Sequence, residues 1–324
     1  MDIILTAFIF AFFIDLVFGE PGTVFHPVVW LGKVIDKLAG FGLSINKKNA
    51  KKAYGFFILV FLSIISILLG YLIQTILVDY LDPLIAILIL AYLIKSCFSF
   101  NLLVTSAYSV YTALRENNIE KSRVLVGNIV SRDVSNLNKE EIISASIEST
   151  AENFVDSFLS PIFYFLLFGL PGIFCFRVVN TLDAMIGYKN EKWSDIGFAS
   201  AKSDDILNFI PSRISVALLL ISYIPWYVKD RRYRDKQQNR HMLKNILKER
   251  KNVESPNSGY PMASISEILR VRLTKRSYYL LGSDYNYPLT EDIIKTIIIV
   301  SISSLITAVI SVLTLYYASL PFFI

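Results

Sequence analysis

Three carboxylates recur one helical turn apart in Glu148-Ser-Thr-Ala-Glu152-Asn153-Phe-Val-Asp156. On a helix the i, i+4, i+8 spacing puts them on one face, where like charges destabilise by about 0.2–0.5 kcal/mol per pair. That face runs into an apolar segment from Phe154, where charge is costly and usually functional. A divalent cation would relieve the repulsion. Mg²⁺ suits such a place, because it takes one or two carboxylates and completes its shell with substrate phosphates and water. The plainer reading is a solvated helix face with partial protonation, Glu148 being its most surface-like member.

A second constellation is Arg177-Val-Val-Asn180-Thr-Leu-Asp183, followed by Gly187 and Tyr188. Spacing i, i+3, i+6 again marks one helix face. Its structural alternative is an ion pair between Arg177 and an acid. The third is Lys202-Ser203-Asp204-Asp205, then Asn208 and Arg213. Adjacent aspartates point in different directions on a helix, so one of them faces inward. The alternative is a helix start, with Ser203 as N-cap and acids in the first turn. Arg213 lies past Pro211 inside an apolar run, where a guanidinium needs a carboxylate or phosphate partner.

Two turns complete the set. Ser255-Pro-Asn257-Ser258-Gly259-Tyr260-Pro261 precedes an apolar helical pattern, and a glycine-containing turn before a helix N-terminus offers backbone N–H groups to an anion. Asp15, Gly19, Glu20, Pro21, His26 and Pro27 form a polar turn after an apolar start. A lone histidine such as His26 is more often structural than catalytic. No P-loop pattern occurs, and no Ser-His-Asp or His-x-x-x-His arrangement can be assembled.

The elements that must position these groups are membrane helices. Only 18% of the 324 residues are charged and 54% are apolar, against ~25% charged in an ordinary soluble domain. Tyr54 to Val78 carries no charge. At ~1.5 Å per residue it reaches ~37 Å, enough to cross a ~30 Å bilayer core with tilt. The spans are placed near residues 3–18, 54–78, 83–104, 157–179, 206–228 and 296–319. Lys95, near the end of the third apolar run, is read as snorkelling. The start lacks a basic region and has Asp2, so it reads as a retained span rather than a signal peptide. Cys97 and Cys175 sit in apolar segments with no metal spacing and read as small core residues.

The fold class is therefore all-α, a polytopic helical membrane protein of about five to six spans. It forms one integral membrane domain over 1–324. Polar cytoplasmic segments fall at about 19–53, 105–153 and 229–292. Basic residues cluster at Lys33 to Lys52 and from Lys229 through Arg231, Arg232, Arg234, Lys236 and Arg240, which the positive-inside rule puts in the cytoplasm. The turn at Asp79–Asp82 and the tail after Tyr317 have no basic residue and read as outside. Pro161, Gly169, Pro171 and Gly172 interrupt the fourth span. A re-entrant pair of half-helices fits these breakers as well as one full span, and the choice decides which side Arg177–Asp205 faces. Asn138 with Glu141 has the form of a capping box. Met242, Leu243, Ile246 and Leu247 recur at helical spacing.

Taken in order, these blocks resemble the adenosylcobinamide-phosphate synthase family of cobalamin biosynthesis (CbiB/CobD type). The text that carries the resemblance is Asp15-Leu-Val-Phe-Gly-Glu-Pro with His26-Pro27-Val28, Glu152-Asn153-Phe-Val-Asp156, Asn180-Thr-Leu-Asp183-Ala-Met-Ile-Gly187-Tyr188, Asp204-Asp205-Ile-Leu-Asn208-Phe-Ile-Pro211-Ser-Arg213 and Pro256-Asn257-Ser258-Gly259-Tyr260-Pro261. Glu20 stands where the family pattern has Asp, and Lys202 where it has Arg; both keep the charge. The resemblance implies a ligase joining the carboxylate of adenosylcobyric acid to (R)-1-amino-2-propanol or its O-phosphate, with ATP and Mg²⁺. It also implies a multi-pass protein of the cell membrane with a cytoplasmic active site. On that reading Glu152, Asp156, Asp183, Asp204 and Asp205 are catalytic and hold Mg²⁺ and nucleotide phosphates. Arg177, Lys202 and Arg213 neutralise phosphate charge, and the Asn257-Ser258-Gly259 turn binds phosphate through its amides. His26, Asn153, Asn180 and Asn208 complete the binding set.

The alternative class is a transporter, or a non-catalytic membrane subunit handling corrinoids, since intramembrane acids and arginines also mark transport paths. A transporter would show repeat symmetry, and the sequence has none. The net charge of +5 is accounted for by inside loops, so nucleic acid is not an expected partner. The oligomeric state is not legible.

Overall fold

The structure is a computed structural model that describes residues 2–229 and 236–318. Arg231, Arg232, Arg234 and the tail beyond Ala318 lie outside the described residues, and of Lys236 and Arg240 only the backbone is described. The helices run, in chain order, α1 Ile3–Phe18, α2 Pro27–Leu43, α3 Lys48–Tyr80, α4 Pro83–Lys95, α5 Asn101–Arg115, α6 Ile119–Gly127, α7 Lys139–Asn153, a π-helix Phe154–Leu159, α8 Ser160–Ile186, α9 Phe198–Leu207, α10 Phe209–Lys229, α11 Lys236–Glu249, a 3₁₀ turn Arg250–Asn252, α12 Gly259–Leu269 and α13 Thr290–Ala318. A hairpin of β1 Leu273–Lys275 and β2 Tyr279–Leu281 pairs Leu273 with Leu281 and Lys275 with Tyr279, antiparallel. The all-α class holds apart from this short hairpin, which the sequence reading did not include.

The chain forms two compact units. The first comprises residues 1–99, 160–208 and 309–324; the second comprises 100–159 and 209–308.

In the first unit, α1 and α4 pack through small residues and Ile87, with Ala7, Ala11, Ala86 and Ala91 almost wholly buried. Small side chains let the two backbones approach closely, as in membrane helix pairs. Asp82 caps α4 by accepting from Leu84 N at 3.0 Å, with Pro83 in its first turn. A second core joins α2, α3 and α8 through Ile35, Ile58, Leu62, Val179 and Leu182. The outer face of α3 exposes Phe57, Phe61, Leu68 and Leu72. An apolar surface of this extent on a long helix is suited to lipid.

The interrupted fourth segment is a helical hairpin. Gly169 has φ 64° and ψ −147°, a backbone state open chiefly to glycine. The chain reverses there. The rings of Tyr164 and Phe176 stack at 5.4 Å, whereas twelve residues of straight helix would separate them by ~18 Å. Ser160 and Asn180 both reach the last turns of α9, Ser160 Oγ lying 2.6 Å from Asn208 Oδ1 and Asn180 Nδ2 3.3 Å from Asp204 Oδ1. The tip of the hairpin is pinned to α3, where Gln74 Oε1 accepts from Leu170 N at 2.8 Å.

Among the described residues three stretches are long and apolar enough to cross a membrane, Lys48–Tyr80, Lys139–Ile186 and Thr290–Ala318, and the α9–α10 pair adds a fourth if counted as one span. The second of these owes its length to joining both arms of the hairpin. The expected span 83–104 is corrected: α4 stops at Lys95 and α5 starts at Asn101. Its 13 residues make ~20 Å of helix, short of a ~30 Å core. The expected span 206–228 is likewise divided at Asn208.

In the second unit, α7 starts with the capping box foreseen from the sequence: Asn138 N donates to Glu141 Oε2 and Glu141 N to Asn138 Oδ1, each at 2.9 Å. α7 and α12 are buried along almost their whole length. α11 packs on α12 through Met242 and Ile246 while Leu243 and Leu247 stay exposed, so only half of that apolar stripe faces protein.

Candidate functional site

The predicted site residues are divided between the two units, and within the first unit His26 stands apart from the rest. In the first unit α8 presents Arg177, Asn180 and Asp183 near its C-terminal end, and α9 presents Lys202, Asp204 and Asp205. Arg177 Nη1 donates to Asn180 Oδ1 at 3.3 Å, Asn180 Nδ2 to Asp204 Oδ1 at 3.3 Å, and Asn208 Nδ2 to Asp204 Oδ2 at 2.9 Å. Ser160 Oγ donates to Asn208 Oδ1. Two amides thus hold both oxygens of Asp204, and two of the sequence motifs, together with Ser160, become one chain of hydrogen bonds. Asp183 is half-buried one turn before the end of α8. Asp205 faces outward enough to pair with the exposed Lys202 at 3.4 Å. The helix-start alternative for Ser203 is overturned, because α9 begins at Phe198 and puts Ser203 in its interior.

A buried charge group lies in the same unit. Lys95 Nζ is 3.0 Å from Asp15 Oδ1 and 3.0 Å from Glu20 Oε1, with Lys95 and Asp15 side chains 0% and 1% exposed. The snorkelling role of Lys95 is therefore corrected: its ammonium is drawn inward by two carboxylates. His26 caps α2, its Nδ1 accepting from Val28 N at 3.2 Å, so the proton sits on Nε2 and is directed to Glu20 Oε2 at 3.1 Å. Burial alone would raise the pKa of Glu20. Hydrogen bonds from His26 and Ser99 and the Lys95 charge outweigh it and bring it down from 4.5 to about 2. His26 is thus placed as a clamp on the 19–27 turn. The signal for Lys95 was a lone lysine in one apolar run and a lone acid, Asp15, in another, charges that each call for a partner.

In the second unit the motif Glu152–Asp156 meets the Ser255–Pro261 turn. Ser258 Oγ donates to Glu152 Oε1 at 2.6 Å. Asn153 is turned back on its own helix, donating to Ser149 O at 2.9 Å, and Asp156 lies half-buried in the π-helix, a distortion frequent at functional sites. Ser255 Oγ accepts from the amides of Asn257 and Ser258 at 3.3 and 3.2 Å. Two of the three amides assigned to a phosphate are therefore turned toward this hydroxyl. At Gly259 an added Cβ would come within 2.3 Å of Arg250 O, so the close approach of the 3₁₀ turn requires glycine.

Arg213 Nη1 bonds Phe209 O, Ser212 Oγ and Asn257 Oδ1 at 2.7, 2.9 and 2.8 Å, all uncharged partners. Arg213 and Arg250 both lie over the Tyr260 ring, at 4.3 and 4.5 Å. Two guanidiniums thus flank the start of α12, where the helix dipole also favours an anion. Glu148, read as the surface member of the acid face, is instead buried. It takes hydrogen bonds from Ser144 and, at 2.7 Å, Tyr279, and Arg132 Nη2 lies 3.2 Å away. Burial pushes the Tyr279 phenol up, and the Glu148 charge and hydrogen bond add to it, which keeps Tyr279 a proton donor.

Among the described residues no three His, Cys, Asp or Glu side chains form a metal cage. Glu152 and Asp156 belong to one unit and Asp183, Asp204 and Asp205 to the other. Mg²⁺ with one or two of these acids would need phosphate oxygens or water to complete its shell. The half-buried Glu152, with a hydroxyl bonded to one oxygen, is a donor set of that kind.

The fold and these polar clusters define a helical membrane protein with charged residues gathered in clusters in both units. Against known proteins, the CobD/Cbib protein family matches residues 8–312, and this chain belongs to that family. It is 38% identical over 280 residues to a probable cobalamin biosynthesis protein CobD of Methanocaldococcus jannaschii, covering 84% of this chain and 86% of the relative. It is 33% identical over 319 residues to the cobalamin biosynthesis protein CobD of Dehalococcoides mccartyi, covering 97% and 98%. A probable CobD of Thermoplasma volcanium is 34% identical over 308 residues, 93% of this chain and 94% of the relative. No solved structure matches.

Proposed function

We propose that the protein is an ATP-dependent amide ligase of cobalamin biosynthesis at the cell membrane, joining the carboxylate of adenosylcobyric acid to (R)-1-amino-2-propanol or its O-phosphate. The observation that carries this reading is the convergence, within the second unit, of Glu152 with the Ser258 turn and Arg213 with Asn257. Among the described residues, an acid with one oxygen unbonded, a hydroxyl and two guanidiniums without carboxylate partners suit a phosphorylated reactant.

A carboxylate does not condense with an amine in water unless one of its oxygens becomes a leaving group. ATP supplies that activation. The protein's part is then electrostatic, with Arg213 and Arg250 placed to neutralise charge that grows on phosphate oxygens. Glu152 would hold Mg²⁺ on one oxygen. In the first unit Asp204, fixed by Asn180 and Asn208, is held rigidly enough to orient a cationic group or accept a proton from the attacking ammonium. The cytoplasmic placement of both clusters belongs to the same proposal.

Purified protein in detergent, given adenosylcobyric acid, the amine or its phosphate, ATP and Mg²⁺, is expected to form a product whose mass equals the sum of the reactants less water, only when ATP is present. Folded protein with verified substrates and no such product would refute the ligase reading. Corrinoid uptake into proteoliposomes would then test the transport alternative.

A further inference from the structure

We infer that Arg132 and Lys275 form the phosphate-binding wall of a cleft in the second unit that takes a phosphoryl group carrying an adjacent cation, either a nucleotide phosphate with Mg²⁺ or the phosphate of a small amine. The cleft encloses about 420 Å³ of empty space, part of it open to solvent, between Arg132, Glu148, Ser149, Glu152, Lys275 and Tyr279. None of the sequence blocks that mark the family includes Arg132 or Lys275.

Charges of both signs line this space, a positive pole at Arg132 and Lys275 and a negative one at Glu152, one helical turn on from Glu148. At one pole Arg132 is largely buried, 13% exposed, with Nη2 3.2 Å from Glu148 Oε2. That contact is one of charge only, because neither Nη2 nor Nε is aligned for a hydrogen bond with any described group. Glu148 cannot turn to meet it, being held by Ser144 and Tyr279. The remaining, exposed part of the guanidinium lines the cleft, where its positive charge and planar N–H fork suit phosphate oxygens. Lys275, beside it on β1, has no ion pair with a described carboxylate and rests its ammonium 4.8 Å over the Tyr278 ring.

At the other pole stands Glu152. Its Oε1 takes the Ser258 hydroxyl and its Oε2 has no protein partner among the described residues. A bare anion would be repelled there. A phosphoryl group with its own cation satisfies both poles, its oxygens on Arg132 and Lys275 and its ammonium or Mg²⁺ on Glu152. The inference rests on the ligase reading for the identity of the two sources, not for the cleft itself.

The test is equilibrium binding to the full-length protein in detergent by calorimetry, with no corrinoid present. One arm uses O-phosphoethanolamine without Mg²⁺; the other uses a non-hydrolysable ATP analogue with Mg²⁺. Lys275→Gln is expected to weaken one of the two by about tenfold or more, the scale of a lost charge-assisted hydrogen bond, and to leave the other unchanged. The arm that responds names the source. Arg132→Gln leaves Glu148 buried without its cation, so the double variant Arg132→Gln/Glu148→Gln is used, and it is expected to weaken the same ligand. Binding of neither probe to the wild type, or variants that leave the binding of both probes within twofold of the wild type, would overturn the proposal. Because the readout is binding, a wild type that fails to make amide refutes the ligase reading without deciding this one.

Discussion

Replacing Lys95 by Met tests what holds α1 against α4. The side chain lies between Asp15 and Glu20 at 3.0 Å from each, with Lys95 and Asp15 essentially unexposed and Glu20 22% exposed. Methionine fills a similar volume, so the change removes the charge and little packing. Taking one partner from a buried ion pair costs about 3–5 kcal/mol, because the other is left uncompensated. The two carboxylates do not double that figure, since Glu20 keeps His26 and Ser99 as donors and part of its solvation. Asp15, the more deeply buried of the two carboxylates, carries the larger share. At about 2–4 °C per kcal/mol for a large domain, the midpoint of heat-induced loss of the monodisperse peak, followed by fluorescence-detected size exclusion, is expected to fall by ~6–20 °C. Lys95→Met/Asp15→Asn is expected to recover more than half of the loss, because the stranded charge goes with its partner. A single variant within ~2 °C of the wild type, or a double variant as weak as the single, would refute this account of the cluster.

Other consequences follow from the same geometry. Glu20 has its pKa lowered to about 2 from 4.5, so its contribution to stability is complete above pH 4.5 and is lost as pH falls toward 2. Acid titration of the folded fraction should show that loss, and Glu20→Gln should abolish it. Gly169→Ala places a methyl group 2.5 Å from Gln74 Oε1 at a backbone with φ 64°. It is expected to destabilise by ~2 kcal/mol or more, measured by denaturant midpoint, and an equal midpoint would sink the hairpin reading of that residue. Ser258→Ala removes the hydrogen bond to Glu152 and is expected to cost about 1–2 kcal/mol while lowering condensation turnover by more than tenfold; unchanged turnover would remove Glu152 and its turn from the site. Asp204→Asn keeps shape but loses charge, so turnover should fall with the folded fraction intact, whereas Asn208→Ala should lower both.

Local sequence carried the parts of this protein whose cause is local. Uncharged runs long enough for a bilayer made α3 and α13 legible. Asn138 with Glu141 announced the start of α7, and the glycine and proline breakers marked an interruption near Gly169 while leaving open whether it was a hairpin or one full span. The motif order was enough to place the chain in its family, since each block keeps its residue types and spacing. The ends of α4 and the break at Asn208 were not legible, because apolar residues on either side read as one continuous run and the stop is imposed by how the helices pack.

The partners of the charges were decided only by tertiary structure. Nothing in the sequence joins Lys95 to Asp15, Asn180 to Asp204, or Ser258 to Glu152, separations of dozens of residues that chain reversal closes. Burial is the same kind of quantity. Glu148 looked like a surface acid at its place in the helix, and became interior because α7 is covered by the β1–β2 hairpin and α12, elements that lie more than a hundred residues further along the chain. A charge in low dielectric must find its counter-charge or neutralise, and which one it finds depends on the fold that brings distant segments together.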